Sequence, residues 1–462
     1  MSQNFAISII QALRQRGFQA YLVGGCVRDL LLKREPADFD VATSATPAQV
    51  MDIFPDTYAV GAQFGVVLVP LPEPQPGDRS SNLTPKASAV EVATFRSDLR
   101  YSDGRHPDEV RFTQDPREDA ARRDFTINGM MLDPLAGETT GEVTGGTAGE
   151  VLDFVGGQND LHARILRAIG DPAQRFAEDK LRMLRAIRFA ARFEYAIEAE
   201  TLAAIDRLAP EIQVVSRERV RDELTKMLTE GQARRAFLLL DETGLLKAVL
   251  PEISAMKGIR QPPEFHPEGD VFAHTLLLLE NLPHPCPPTL AWGALLHDVG
   301  KPATFRVAPD RIRFDNHVEV GVKIAEGICE RLRFSNHDAT QVLALVDNHM
   351  RFGHVARMKE STLKKFLRLP GIEEHLALHR ADSLASHRNL STYHFLQNKL
   401  TEIPPEKIRP AALITGDDLI AAGYLPGPRF REILEAVEDA QLEGRLLSRD
   451  AAIEYVGREF PL

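Results

Sequence analysis

Segments with strand character stop early in this 462-residue chain, and almost everything after them carries helical periodicity. Residues 18–23 (FQAYLV), 64–69 (FGVVLV) and 90–96 (VEVATFR) are short, rich in aromatic and β-branched side chains, and read as strands. From about residue 161 the period changes: in FAEDKLRMLRAIRFAARF, Leu181, Leu184, Ile187, Phe189 and Ala190 recur at spacings that keep them on one side of a helix. The pattern predicts an α+β chain, with a mixed sheet and its helices at the front and an all-α remainder. Pro- and Ser-rich PEPQPGDRSSNLTPKASA (72–89) and GETTGEVTGGTAGE (137–150) are predicted surface loops. The turn-rich stretches 256–270 and 401–410 are the best inner boundaries, and no solenoid-period repeat is present. Four regions result: 1–160, 161–260, 261–400 and 401–462.

Length about three times that of a typical domain agrees with several folded units. Hydrophobic residues make up 44% and charged residues 26%, the balance of ordinary globular protein. No apolar run approaches the eighteen residues of a membrane span, and the opening segment carries its Arg residues after the apolar stretch, unlike a secretory leader. Cys26, Cys286 and Cys329 are widely spaced, form no CxxC pattern and cannot all pair, which predicts reduced thiols and a cytoplasmic protein with no membrane partner. The net charge of −11 opposes the basic footprint of a nucleic-acid binder. Charge is nevertheless segregated, with residues 161–235 net +3 and residues 401–462 net −5, so one region retains the capacity to hold a polyanion.

YLVGGCVRDLLL reads as a strand, a Gly-Gly turn and a helix start, a geometry that favours an anion. Gly24 and Gly25 let backbone N–H groups approach a triphosphate, and Arg28 offers a charge-assisted contact. A plain tight turn is the bland alternative, and the next feature bears on the choice. In ADFDVAT, Asp38 and Asp40 stand two apart in a strand-like segment, so both carboxylates face one side. Such a pair of oxygen ligands suits magnesium, which clamps a triphosphate and activates an attacking hydroxyl.

With these blocks, YLVGGCVRDLLLKREPADFDVAT resembles the first motif of class II tRNA nucleotidyltransferases and bacterial poly(A) polymerases, members of the polymerase-β superfamily. Further blocks follow in order up to residue 228: VEVATFRSDLRYSDGRHPDEVRF, RRDFTINGMMLDP, LDFVGGQNDLHARILRAIGDP, EDKLRMLRAIRFAAR and RERVRDELTKML. Lys33 stands where Gly is usual, Asp98 for Glu, His106 for Arg and Gly129 for Ala. The resemblance implies a polymerase-β-like head, an all-α neck and body, Arg123 on the substrate and Asp124 on its ribose, with Arg122 and Glu91 as weaker candidates. It also implies that EDKLRMLR reads the base. On a helix, Asp179 and Arg182 share a face that Arg185 and Arg188 continue. Cytosine and adenine both present an amine donor beside a ring-nitrogen acceptor, so a carboxylate and a guanidinium in register satisfy both bases. Uracil and guanine would leave buried polar groups unpaired, at about 1–3 kcal/mol each.

A second chemistry begins near residue 266: HPEGDVFAHTLLLLE, LAWGALLHDVGKPATF, FDNHVEVGVKIAE, LVDNHM and HRADSLASH. Imidazoles and carboxylates together make sites for divalent transition metals. These segments resemble the HD phosphohydrolase superfamily. Carried over, His274, His297, Asp298 and Asp382 are the basic metal set, His317 and His349 the additions of a two-metal version, and His266 an uncertain member. The implied ion is nickel, cobalt or manganese. An HD domain behind such a head is the arrangement of several bacterial CCA-adding enzymes, associated with phosphatase and cyclic phosphodiesterase activity, and the last stretch resembles their tail module.

The expected function is template-independent addition of C and A to tRNA 3′ ends from CTP and ATP, with tRNA as partner and no obligate protein partner. Polyadenylation, or addition of CC alone or A alone, shares these motifs. The acidic tail argues against a processive enzyme that grips arbitrary RNA, and the full-length segment 96–112 favours addition of the final A. An HD hydrolase with a decayed head and a non-enzymatic RNA-binding module complete the alternatives; the intact Asp38, Asp40, Asp179 and Arg182 argue against both.

Overall fold

The computed structural model describes residues 2–58, 65–71, 89–99, 109–136, 149–264 and 266–462. Nearly all of the two expected loops, and positions 100–108 including His106, lie outside the described residues. The chain divides into two compact units, Met1–Met227 with Arg235–Val249 and Leu228–Arg234 with Leu250–Leu462.

The first unit opens with α1 (Ser2–Gln15), β1 (Ala20–Val23), α2 (Gly25–Leu31), β2 (Asp40–Thr43), α3 (Pro47–Ile53), β3 (Val66–Pro70) and β4 (Ala89–Thr94). It continues through β5 (Arg96–Leu99), β6 (Glu109–Phe112), α4 (Pro116–Ala121), β7 (Met131–Asp133) and β8 (Glu150–Leu152). Six strands form one mixed sheet in the order β3-β4-β2-β1-β7-β8, parallel only between β2 and β4, and β5 pairs with β6 as a separate hairpin. Ala6, Ile9, Ile10 and Leu13 of α1, spaced as one helical stripe, are fully buried, each large side chain contributing about 1.5–3 kcal/mol. Val23, Ala42, Phe95, Ala120 and Met131 form a further core cluster of this head. Lys33, where the resemblance has Gly, adopts φ 57°, a left-handed conformation that Gly takes at no steric cost.

Helices then dominate: α5 (Gly157–Ala163), α6 (Pro172–Glu178), α7 (Leu181–Phe193), α8 (Ala199–Leu208), α9 (Arg217–Thr229), α10 (Ala233–Glu242) and α11 (Leu245–Val249), with a two-residue parallel pair of β9 (Ile165–Leu166) and β10 (Ala196–Ile197) among them. The expectation that Asp179 and Arg182 share one helix is corrected here. Asp179 has extended backbone between α6 and α7, where its Oδ1 accepts the Leu181 N–H at 3.0 Å. A short carboxylate that caps the next helix competes with the helix that would contain it.

The second unit contains α12 (Pro251–Ser254), α13 (Val271–Glu280), α14 (Pro288–Leu296), α15 (Lys301–Thr304), β11 (Phe305–Val307), β12 (Ile312–Phe314), α16 (His317–Arg331), α17 (Asn336–Asn348), α18 (Glu360–Leu367) and α19 (Ile372–Ala385). The β11–β12 hairpin departs from the expected all-helical pattern. Apolar residues alternate along FRV and IRF, and Pro309-Asp310 supplies the turn between them. Helices α20 (Ser391–Glu402), α21 (Pro405–Ile408), α22 (Gly416–Ala421), α23 (Pro428–Leu442) and α24 (Arg449–Glu459) follow, the last three around Ile433, Val437 and Val456. All three cysteines are free and buried. Among the described residues no helix is long and apolar enough to cross a membrane.

Candidate functional site

Strand register assembles the first site. Val23 ends β1 opposite Asp40, the first residue of β2, and Asp40 stands opposite Glu91 of β4. The Gly-Gly turn therefore leaves the sheet beside two carboxylates. Gly24 has φ 76°, a left-handed conformation that favours glycine, and a Cβ built there would stand in ordinary contact with Arg123 Nη1 at 3.4 Å and Asp40 Oδ2 at 3.9 Å, so the turn runs directly beside a guanidinium and a carboxylate. Asp38 sits just before β2 in irregular, exposed backbone rather than on the strand, separated from Asp40 by buried Phe39. Strand alternation therefore does not extend to Asp38, and the cavity beside Asp40 is not lined by it. A cavity of about 200 Å³ is lined by Asp40 and Glu91, whose carboxylates are hard-oxygen donors of the kind magnesium takes, and by Arg96, Arg122 and Arg123, whose guanidiniums suit an anion. Arg28 lies deeper: it is 4% exposed, donates to Asp29 Oδ1 at 2.9 Å and Asn128 Oδ1 at 2.7 Å, and stacks on Phe193.

Asp119, which sequence reasoning did not single out, organises the arginines. Its fully buried carboxylate accepts Arg122 Nη2 on Oδ1 at 2.7 Å and Arg123 Nη2 on Oδ2 at 3.0 Å. Burial favours its neutral form, but Arg123 and Arg122 outweigh that and hold the carboxyl below its usual range. Asp124 is fixed similarly: Oδ2 accepts both Arg185 Nε and Nη2, at 2.9 and 2.7 Å, while Oδ1 accepts the Phe125 N–H. Burial opposes its ionisation, yet Arg185 prevails and pulls it down to about 2.

The residues expected to read the base are each held by a partner. Asp179 takes a forked contact from Arg219 of α9, at 3.2 and 2.7 Å, and Arg182 Nη1 lies 2.5 Å from Glu178 Oε2. Arg188 does not continue their row. It is 6% exposed, bonded to Glu223 at 2.7 Å and packed on Phe189. Arg219 and Glu223 both fall in the RERVRDELTKML block, so their positions were legible but their partners were not.

The second site lies within the second unit. His274 projects from α13, His297 and Asp298 follow the end of α14, His317 begins α16, His349 follows α17 and Asp382 belongs to α19. The structure brings all six together. Asp298 is central: Oδ2 lies 3.1 Å from His297 Nε2 and 2.6 Å from Lys301 Nζ, and Oδ1 lies 3.9 and 3.7 Å from Nε2 of His317 and His349. Asp382 Oδ1 lies 3.1 Å from His274 Nε2. Donor atoms of His274, His297 and Asp382 fall within 4.8 Å of one another, as do those of Asp298, His317 and His349.

Tethers behind the rings decide their chemistry. Nδ1 donates to Glu268 Oε1 in His274 (2.6 Å), to Ala294 O in His297 (2.8 Å), to Phe314 O in His317 (2.9 Å) and to Val346 O in His349 (2.6 Å). Those oxygens only accept, so Nδ1 carries the proton and Nε2 presents its lone pair to the centre. Among the described residues all four Nε2 atoms are buried and make no hydrogen bond of good geometry, although those of His274 and His297 stand 3.1 Å from carboxylate oxygens. Four convergent lone pairs around carboxylates fit one or two divalent ions. Burial, with His297 beside it, pushes His349 down to about 4, whereas in His274 burial is outweighed by the Asp382 and Glu268 carboxylates, which raise it to about 9, so its Nε2 gives up a proton before that atom can take an ion. His266 stands aside, its Nδ1 on Glu268 Oε1 at 2.9 Å. A cavity of about 770 Å³ opens over the cluster, walled by β11–β12, Pro262, Pro263 and Phe352.

Comparison with known proteins bears on both sites. The family model for the poly A polymerase head domain matches residues 20–167, the one described as "Probable RNA and SrmB- binding site of polymerase A" matches 194–257, and the HD domain matches 271–386. A CCA-adding enzyme of Geobacillus sp. (strain WCH70) is 32% identical over 447 residues, covering 96% of this chain and 93% of that protein. The Geobacillus stearothermophilus CCA-adding enzyme is 41% identical over 249 residues, covering 54% and 55%. Among solved structures, the Bacillus stearothermophilus CCA-adding enzyme in complex with CTP superposes with a TM-score of 0.72 at 28% identity, covering 98% of this chain and 97% of that one. With the carboxylates on its inner strands, its arginine cluster and a relative matched over nearly its whole length, the chain is a nucleotidyltransferase and belongs to the family of CCA-adding enzymes.

Proposed function

We propose that this chain adds C and A to tRNA 3′ ends from CTP and ATP, releasing pyrophosphate. The observation that carries the reading is the grouping of Gly24, Asp40, Glu91 and Arg123 on and beside the inner strands of the sheet. Asp38, Asp40 and Glu91 would hold magnesium, which supplies charge neutralisation and activation of the RNA hydroxyl when bound. Arg123, aimed by Asp119, meets triphosphate oxygens, Asp124 orients the ribose, and Asp179 with Arg182 satisfies the donor and acceptor that cytosine and adenine share. Relatives named as CCA-adding enzymes support this reading over polyadenylation. Three buried free thiols support a cytoplasmic location. The test supplies tRNA transcripts ending before C, after C and after CC with one nucleotide at a time; stepwise C, C, A is expected, and long A tails would overturn it. Asp40→Ala should abolish transfer with the fold intact, and substantial residual transfer would move the metal site elsewhere.

A second activity is favoured by the converging Nε2 atoms. The six residues of the helical cluster would hold two ions of nickel, cobalt or manganese type, which supply a Lewis acid and an activated water when bound. Lys301, buried beside Asp298, adds positive charge, and the cavity above admits a phosphoester much larger than free phosphate. Metal-dependent phosphatase or cyclic phosphodiesterase activity is expected, and its absence with each of the three ions would overturn the reading.

A further inference from the structure

We infer that Glu268 is a positioning residue that makes the two metal positions of the helical cluster unequal, tightening the one formed by His274, His297 and Asp382. The inference rests on reading that cluster as a two-metal site. Three of its four imidazoles are tethered through Nδ1 to backbone carbonyls at the same sequence offset, three residues earlier: Ala294, Phe314 and Val346. His274 alone is tethered to a carboxylate, at 2.6 Å. A carboxylate draws the Nδ1 proton more strongly than a neutral carbonyl does. It therefore puts more electron density on Nε2 and compensates part of the ion's charge, and such partners govern metal affinity almost as the ligands do.

Glu268 is built for this role. Its side chain is 5% exposed, its Oε1 receives both His274 and His266, and its Oε2 is buried with no hydrogen-bond partner among the described residues. An anion in that setting needs a nearby cation, and the one its geometry addresses lies through the His274 ring, whose Nε2 points towards Asp382. A direct ligand role for Glu268 fits less well. His266, Glu268 and His274 do place three donor atoms within 4.8 Å. Both rings, however, spend their Nδ1 protons on one carboxylate oxygen, which leaves no imidazole lone pair facing an ion there. The turn HPEGD that carries Glu268 is thus a tether for the cluster, placed six residues before the ligand it orients.

The experiment titrates cobalt(II) chloride into the chelator-treated full-length chain, followed by calorimetry and by the visible absorption of protein-bound cobalt. The wild type should bind in two steps of different affinity, and His349→Gln should remove the weaker one, which assigns the steps. Glu268→Gln keeps an acceptor for His274 and loses the charge, and should weaken the tighter step about 10-fold; Glu268→Ala should weaken it about 100-fold. The weaker step should stay in place in both variants, each shown to be folded by circular dichroism at the titration temperature although the loss of the His274 partner lowers its metal-free melting temperature. Equal weakening of both steps, or an unchanged tight step in Glu268→Gln, overturns the inference. Cobalt that does not bind the wild type at all overturns instead the two-metal reading beneath it.

Discussion

At Asp119 a carboxylate with no exposed surface holds two guanidiniums beside the cavity where a triphosphate would sit, and so converts two flexible side chains into a fixed anion cradle. Asp119→Asn keeps the shape and removes the charge. It should lower kcat/KM for CTP about 10-fold or more, through KM, and cost about 3 kcal/mol of stability, because two cations then share a neutral acceptor. Steady-state kinetics below the melting temperature separate the two effects, and an unchanged KM would deny Asp119 its role. His375 has the opposite character. It is 1% exposed, neither ring nitrogen has a hydrogen-bond partner, and burial, with Arg351 nearby, pushes its pKa down to about 4. The unfolded chain protonates this ring near pH 6.5 while the folded chain does not. Stability therefore falls as pH drops from 6.5 towards 4, by about 3 kcal/mol in all. His375→Leu should gain about 2 kcal/mol on the wild type between pH 7 and pH 5, read from urea midpoints; a constant difference would refute this.

Elements reach their positions through close approaches that a single atom can block. Gly300, two residues after Asp298, packs so tightly against the start of α16 that a Cβ would overlap the His317 carbonyl oxygen and lie 2.6 Å from the Gly321 nitrogen. Gly300→Ala should push α16 away and carry His317 with it. The expected outcome is loss of one bound ion of two by elemental analysis, with about 1–3 kcal/mol of destabilisation from overpacking; retention of both ions would show that α16 is not positioned by this contact. The break between α6 and α7 works in the same way at the reading residues. Because Asp179 leaves the helix to cap α7, it can be gripped by Arg219 from α9, forty residues away. A continuous helix would have pointed it along the row of Arg182 instead.

For the whole molecule, the two candidate sites belong to separate compact units, one lined by carboxylates and arginines and the other by imidazoles and carboxylates. Replacing His297 and Asp298 together by Ala should abolish metal-dependent phosphoester hydrolysis and leave addition of C and A to tRNA within about 3-fold, with some loss of stability as metal cross-links disappear. Both activities measured on one preparation, with circular dichroism as the folding check, decide it; loss of nucleotide addition in a folded variant would show that the helical region helps to hold tRNA. The sequence by itself determined the succession from sheet to helices and the Gly-Gly turn before paired aspartates, both written in local spacing and residue chemistry, while the six imidazole and carboxylate candidates came from the resemblance to the HD superfamily. Only the tertiary structure decided what faces what. It set Glu91 opposite Asp40 by strand register, turned Arg188 inward to Glu223, and made Asp119 and Glu268 organisers of their sites. A carboxylate in a polar segment looks the same whether it meets solvent or a buried cation. The difference is made by partners distant in sequence, as where Arg185 reaches Asp124 across 61 residues, and by burial that no local pattern records.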